Sequence, residues 1–439
     1  MANLSRVDTS LQQQRNKTAG FLRKFRWAAS DRGKLEAIIH DLRDYNDGLY
    51  HLLSSVERRR LRNALAPEIV RTNDQDELLH LQQASDEYSD ITQLVGMRSQ
   101  KLTCEISSSS MVPWSPASTI AAENLKISGK DVVLAGSASS DGTLSQRRSL
   151  ASYLKAIDGQ IVKKDVFVEW KFFEKDVNDS IKQEQLVRLD TLARLLHISS
   201  KPKDLRAPHC LGYIVDDWHP RVGFIFECPA PSGNPPSILR SLRHSLGGSI
   251  VPYLGDRFRL AYELSISLCL LHIAGWLHKG IRSENIIFLT GAHASPPNLQ
   301  NPSLLGFEYS RPDNLQTHSD FIKPDELESN LCRHPRAQGP ARGRFSRAYD
   351  IYALGIVLLE IGFWRPISEF WHDSYTMETF QHDLCGFHAP KLGAKMGQIY
   401  MNVVLACLTG RLADTATEEN DSQTGFYWEV VHELSRLVA

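Results

Sequence analysis

The sequence predicts an α+β protein: an N-terminal α-helical bundle fragment, then a small strand-rich lobe, then a larger helical lobe. Three observations carry this. Apolar residues recur at helical spacing through the first hundred positions, where Pro67 is the one proline. Runs rich in β-branched and aromatic residues gather between residues 166 and 226. Beyond Pro229, segments of helical length return at 258–274, 351–363, 397–408 and 426–438. A chain of 439 residues has room for two or three domains at roughly 100–200 residues each.

The boundaries follow from composition. Leu35, Ile38, Ile39, Leu42, Leu49, Leu52, Leu53 and Val56 make an i, i+3, i+4, i+7 stripe. Asp74, Asp76 and Glu77 then precede Leu78, Leu79 and Leu81, on the side of a helix start where the macrodipole favours negative charge. Residues 1–105 are therefore a helical region. The serine run 107–110, Pro113, Pro116 and the Gly/Ala/Ser/Asp stretch 136–142 offer little to bury, so 106–149 reads as a linker with one short strand near 132–135. Residues 150–229 are the strand-rich lobe, with a strand over 166–173, a helix over 183–196 and a hairpin of 211–215 with 222–226. Residues 230–439 are the helical lobe.

Composition excludes several classes. Lys plus Arg total 50 against 51 Asp plus Glu, which argues against a dedicated nucleic-acid binder. The seven cysteines (104, 210, 228, 269, 332, 385 and 407) form no C-x-x-C pair, as expected of free thiols in a reducing cytosol. No signal-peptide core follows Arg6 and Arg15, and the apolar run 351–359 is far short of the ~20 residues of a membrane span. The expected location is cytoplasmic.

From residue 150 onward, spaced motifs resemble the protein-kinase fold. His278-Lys279-Gly280-Ile281-Arg282-Ser283-Glu284-Asn285, followed by apolar Ile286, Ile287 and Phe288, is similar to the catalytic loop H-R-D-L-K-x-x-N. Leu304-Leu305-Gly306-Phe307-Glu308 occupies the place of the strand entering D-F-G. Asp350, with Gly355 and Glu360 along the same segment, resembles the helix at the centre of the large lobe, and Val168-Glu169-Trp170-Lys171 resembles V-A-I-K. The resemblance implies a bilobal protein-kinase-like fold. Lys171 and Asn285 would be its nucleotide contacts and ATP its candidate cofactor. His278, Arg282, Asp350 and Gly355 would be structural markers, with Asp350 holding the catalytic-loop backbone.

The chemistry is where the sequence departs. Phosphoryl transfer uses one carboxylate to accept the hydroxyl proton and another to hold Mg²⁺. The first would stand at Gly280 and the second at Gly306, and glycine performs neither task. No G-x-G-x-x-G precedes Lys171. Glu184 and Asp190 are candidate partners for Lys171, although the helical register brings Arg188 or Leu189 nearest the expected place. Glu308 and Glu284 are the two carboxylates that could substitute for a missing metal ligand. The expectation is a pseudokinase without an intact catalytic residue; the alternatives are an active atypical kinase and a scaffold with no nucleotide site.

Phe25-Arg26-Trp27-Ala28, Asp31, Lys34-Leu35-Glu36-Ala37-Ile38-Ile39 and Leu42-Arg43-Asp44-Tyr45-Asn46 resemble the later helices of the fungal HeLo and HeLo-like domains of prion-inhibition and heterokaryon-incompatibility proteins. This implies a truncated version of that domain and a role in incompatibility or cell-death signalling. Residues 15–34 carry seven basic residues and one acidic, and Arg58-Arg59-Arg60 follows. The expected partners are a protein, or a second copy reached through the helical region, and an anionic membrane surface at about 1 kcal/mol per nearby charge.

Overall fold

In the N-terminal third, the computed structural model of the chain describes residues 40–41, 69, 72, 74–84 and 95–99. Beyond it, 125–134, 147–157, 160–173, 179–197, 201–216, 218–228, 237–291, 299–313, 327–338, 344–414 and 425–438 are described. The predicted stripe 35–56, the basic segments 15–34 and 58–60, the serine run and the stretch 136–142 lie outside these residues. Helix α1, Gln75–Ala84, begins where the acidic cluster predicts. Asp74 accepts from the Asp76 N–H at 2.9 Å, and Leu78 is fully buried.

A five-stranded antiparallel sheet follows, built from β1 (Val132–Leu134), β2 (Arg148–Ile157), β3 (Gln160–Phe172), β4 (Cys210–Val215) and β5 (Arg221–Glu227) in the order β1-β2-β3-β5-β4. The predicted 106–149 linker is in part this sheet. Residues 125–127 run along the outer edge of β4, where Tyr213 N donates to Leu125 O at 2.9 Å and Ile127 N to Tyr213 O at 2.8 Å. A single turn, Gly129–Asp131, carries the chain across to β1 on the opposite edge, beside β2. The strap 125–134 thus joins both edges, and the sheet curls into a small barrel with no long exposed edge. β2 begins at Arg148, inside the expected linker.

The barrel interior is apolar. Val132, Ala151, Val166, Val168, Trp170, Ile214 and Ile225 fill it, with Ile127, Tyr153 and Leu211 packed against them. Gly223 faces Trp170 across the β3–β5 ladder, and a Cβ there would stand 2.3 Å from Val168 Cγ1. Gly212 has φ +149°, and a Cβ on it would meet Leu125 O at 2.2 Å. Those two glycines permit the filling and the strap. The β4–β5 hairpin turns on Asp216, which accepts from the N–H groups of Trp218 and His219 and from Arg221 Nε. Burial opposes these donors, but together they hold the Asp216 carboxyl down at about 2.

The other face of the sheet meets α2, Asp179–His197, through Phe167, Phe224 and Phe226 against Leu189, Leu192 and Leu196. The same core continues into the helical part, around α3 (Leu254–Ile273), α4 (Arg347–Phe363) and α5 (Gln398–Thr409). α4 is buried almost all round, which explains why it reads as apolar on every face. Gly355 lets α5 approach it, since a Cβ there would lie 2.7 Å from Cys407 Cβ. The closing segment 426–438 is helical as expected, although residues 427–432 adopt wider π-type turns. Two small sheets complete this part: β6 (Ser237–Ser241), β8 (Ile286–Gly291) and β9 (Ser303–Leu304) form one, with β8 and β9 where short strands were expected, and β7 (Trp276–Leu277) with β10 (Arg311–Pro312) forms the other, which was not. The chain is therefore a mixed helix-and-sheet protein. Among the described residues no helix is long and apolar enough to cross a membrane.

Candidate functional site

Asp350 organises the loop after β7. It sits in the first turn of α4, wholly buried, and accepts from His278 N at 2.7 Å and Lys279 N at 2.8 Å. His272 Nε2 lies 3.3 Å from the same carboxylate. A buried carboxylate with N–H donors on both oxygens fixes the backbone it touches. Lys279 is held at φ +64°, a conformation unusual for a residue with a side chain. His278 is fully buried, accepts from Gly280 N at 3.1 Å through Nδ1, and its ring packs tilted against Phe307 with centroids 4.8 Å apart. Burial depresses its imidazole to about 4, so the ring is neutral and structural.

Asn285 faces this loop from the other side, donating from Nδ2 to Gly280 O at 2.7 Å. Gly306 lies against it at φ +91°. A Cβ on Gly306 would stand 2.1 Å from Asn285 Nδ2, and one on Gly280 would stand 2.7 Å from Gly306 O. Neither position has room for a side chain in this arrangement, a carboxylate included.

The strongest polar cluster joins the sheet to this loop, and its two central residues, Arg148 and Glu169, are given no role by the sequence. Arg148 and Glu169 are cross-strand partners on β2 and β3, so their side chains share one face. Arg148 Nε and Nη2 each donate to Glu169 Oε1 at 3.0 Å. Gly306 N reaches both Glu169 oxygens at 2.9 and 3.1 Å, and Phe307 N donates to Oε2 at 3.1 Å. Arg148 goes on to Asn285 Oδ1 at 2.6 Å and Glu284 O at 3.0 Å. Both Glu169 oxygens accept only N–H groups, which suits a carboxylate rather than an acid. Burial raises its pKa against the guanidinium of Arg148, and the nearby charge of Glu308 raises it further.

Arg147 continues the network. Its Nη1 pairs with Glu308 Oε1 at 3.0 Å, and its guanidinium lies 5.6 Å from the centre of the Tyr309 ring. Burial of Glu308 works against ionisation, but Arg147, Arg148 and Arg282 hold its pKa down. Lys171 Nζ stands 5.8 Å over the same ring. Between Asn285 and β3, the strand that carries Lys171, stand Arg148 and Glu169. A shallow open cleft adjoins this plug, lined in part by Arg147, Gly280, Arg282, Asn285, Glu308 and Tyr309.

The remaining candidates are engaged elsewhere. Asp190 pairs with Arg194 at 2.7 Å, Leu189 packs into the core, and Arg188 is buried. The Glu184 side chain lies outside the described set. Glu284 lies 3.7 Å from Arg243, and Arg282 donates to Ser329 Oγ. Among the described residues no group of three or more His, Cys, Asp or Glu is arranged to hold a metal. One signal in the sequence did point to the plug. A glutamate inside an apolar strand, two residues from Lys171, is costly unless paired.

Two family comparisons bear on the chain. Residues 1–81 match the family described as HeLo, prion-inhibition and propagation. Residues 135–438 match the family described as a domain of unknown function, DUF7580. No curated protein matches the chain. The second match spans well over half of the 439 residues and includes the whole Asp350–Asn285–Glu169 network; the chain belongs to the DUF7580 family.

Proposed function

We propose that residues 150–439 are a kinase-like regulatory module that does not transfer phosphoryl groups, and that 1–105 are a HeLo-like effector region acting by self-association or protein binding. The observation that carries this reading is the plug. Glu169 and Arg148 stand between β3 and Asn285, while Gly280 and Gly306 leave no side chain to accept a proton or hold Mg²⁺. Losing a general base alone costs about 10²–10⁴ in rate, and the charge-stabilising metal ligand is commonly worth more. The structural markers His278, Asp350 and Gly355 are meanwhile all packed or hydrogen-bonded. Scaffold without phosphotransfer is the role such a site suits.

The match to HeLo, the prion-inhibition and propagation family, supports a part in fungal incompatibility or cell-death signalling. Fusion of a helical effector to a sensing module supports a switch, in which partner binding to one part alters self-association of the other. An anionic membrane surface remains a second partner through residues 15–34. The test is phosphoryl transfer from labelled ATP with Mg²⁺ or Mn²⁺ to the full chain or a generic protein. No incorporation above background is expected; incorporation abolished by Lys171→Met would overturn the reading.

A further inference from the structure

The segment leading into α3 leaves apolar side chains in solvent. Ile250, Val251, Tyr253 and Leu254 each expose between 43% and 85% of their surface, with Pro252 between them. Single exposed apolar residues are ordinary, but four within five positions make a patch. Both ends of the segment are hydrogen-bonded. Gly247 N donates to Trp364 O at 3.0 Å before it, and the Asp256 and Arg257 N–H groups donate to Tyr253 O at 3.1 Å after it. The patch is remote from the Asp350 loop, because α3 has 20 residues, about 30 Å of helix, and His278 follows its other end.

The rim of the patch is basic. Arg257 donates from Nη1 to Gly362 O at 3.0 Å, and Lys395 Nζ stands 5.9 Å from the ring centre of the next residue, Phe363. Arg259 and Arg365 are exposed. Against these four cations stand two carboxylates, Asp256 and Glu369, the latter 3.7 Å from Arg365. The local excess is positive on a chain whose net charge is -1. The pattern of exposure narrows the occupant. A docked strand is read at alternate residues and a docked helix at every third or fourth. Here Ile250 with Val251 and Tyr253 with Leu254 are exposed as adjacent pairs, so no single face presents itself. Such a segment suits a fluid apolar medium rather than a shaped protein surface. Tyrosine, with its apolar body and polar tip, suits the boundary of that medium with water.

We propose that residues 250–254 insert into the surface of an anionic lipid bilayer, with Arg257, Arg259, Arg365 and Lys395 meeting the lipid headgroups. Attachment of this kind lies in the interface and needs no spanning helix. The inference rests on the helical part alone. It depends neither on the absence of phosphoryl transfer nor on the basic segment 15–34.

The experiment sediments the full chain with vesicles of phosphatidylserine in phosphatidylcholine, and with phosphatidylcholine alone. Three variants are compared: Val251→Glu with Tyr253→Glu; Arg259→Gln with Lys395→Gln; and Arg23→Gln, Lys24→Gln and Arg26→Gln together. The unaltered chain should partition onto the anionic vesicles. Partitioning should fall at least about tenfold in the Val251/Tyr253 variant and about fivefold or more in the Arg259/Lys395 variant, while persisting in the third. No partitioning of the unaltered chain, or equal partitioning of the Val251/Tyr253 variant, would overturn the proposal. Binding lost only in the Arg23/Lys24/Arg26 variant would overturn it as well, leaving the membrane contact of residues 15–34 standing. A Val251/Tyr253 variant that changes oligomeric state without vesicles, and binds them unchanged, would assign the patch to a second copy of the chain instead. Amide exchange in the unaltered protein decides the matter even where a variant fails to fold. Anionic vesicles should slow exchange across residues 250–257, and unchanged exchange there overturns the proposal.

Discussion

Glu360 shows what one buried carboxyl can do to stability. It sits on α4, fully buried, accepting from Ile367 N at 2.8 Å, with Ser283, Glu284 and Arg243 as its other polar neighbours. Burial, with Glu284 adding to it, pushes its pKa up to about 8 from an ordinary 4.5. A raised folded pKa means that the stabilising proton is fully present below 4.5 and is lost as pH climbs toward 8. His278 and His334, both depressed to about 4, act only below the ordinary imidazole value of 6.5. Lys201, lowered to about 8, acts on the alkaline side of that value. Urea midpoints of the unaltered protein should therefore fall between pH 6.5 and 8, and Glu360→Gln should flatten that fall. An equal slope in both proteins would show that Glu360 is not the titrating group.

At the scale of elements, the strap 125–134 is the least expected feature. Its serine- and glycine-rich surroundings read as linker, within which the expected short strand near 132–135 is β1, whereas the run 125–127 along β4 had no local signal. Leu125 and Val132, spaced by a one-turn reversal, reveal their role only once β4 and β2 are in place. β2 was missed for a related reason: its residues mix polar and apolar positions along a hairpin whose outer end is solvent-facing. The β4–β5 hairpin was legible, since an Asp-rich turn between two apolar runs is a local signal. Leu125 is 3% exposed and anchors the strap, so Leu125→Ala should lower stability by about 2–5 kcal/mol in urea denaturation. Faster exchange of the Tyr213 amide, which donates to Leu125 O, should accompany the loss. A change within experimental error at both would mean that the strap contributes nothing to barrel closure.

For the whole molecule, sheet and helical part are joined by one apolar core and by the Arg148–Glu169–Gly306 plug across it. Gly280 and Gly306 were singled out in the sequence through the kinase resemblance, by their distance from His278 and Asn285, and the proposed function builds on them. Of the plug, the glutamate in an apolar strand was a sequence signal, but its partner was not. Arg148 and Glu169 are 21 residues apart, and only hairpin register brings them opposite each other. A pair of charges that stabilises the closed junction also excludes what would otherwise enter it. That links the strand register of β2 and β3 to the proposed regulatory role.

The most direct measurement is a calorimetric titration of Mg²⁺–ATP into the unaltered full chain. A plugged cleft with no metal-holding carboxylate predicts no saturable heat beyond dilution at concentrations of ordinary nucleotide-binding proteins. Saturable binding that disappears in Lys171→Ala would contradict the account, because it would place a nucleotide where Arg148 and Glu169 now meet.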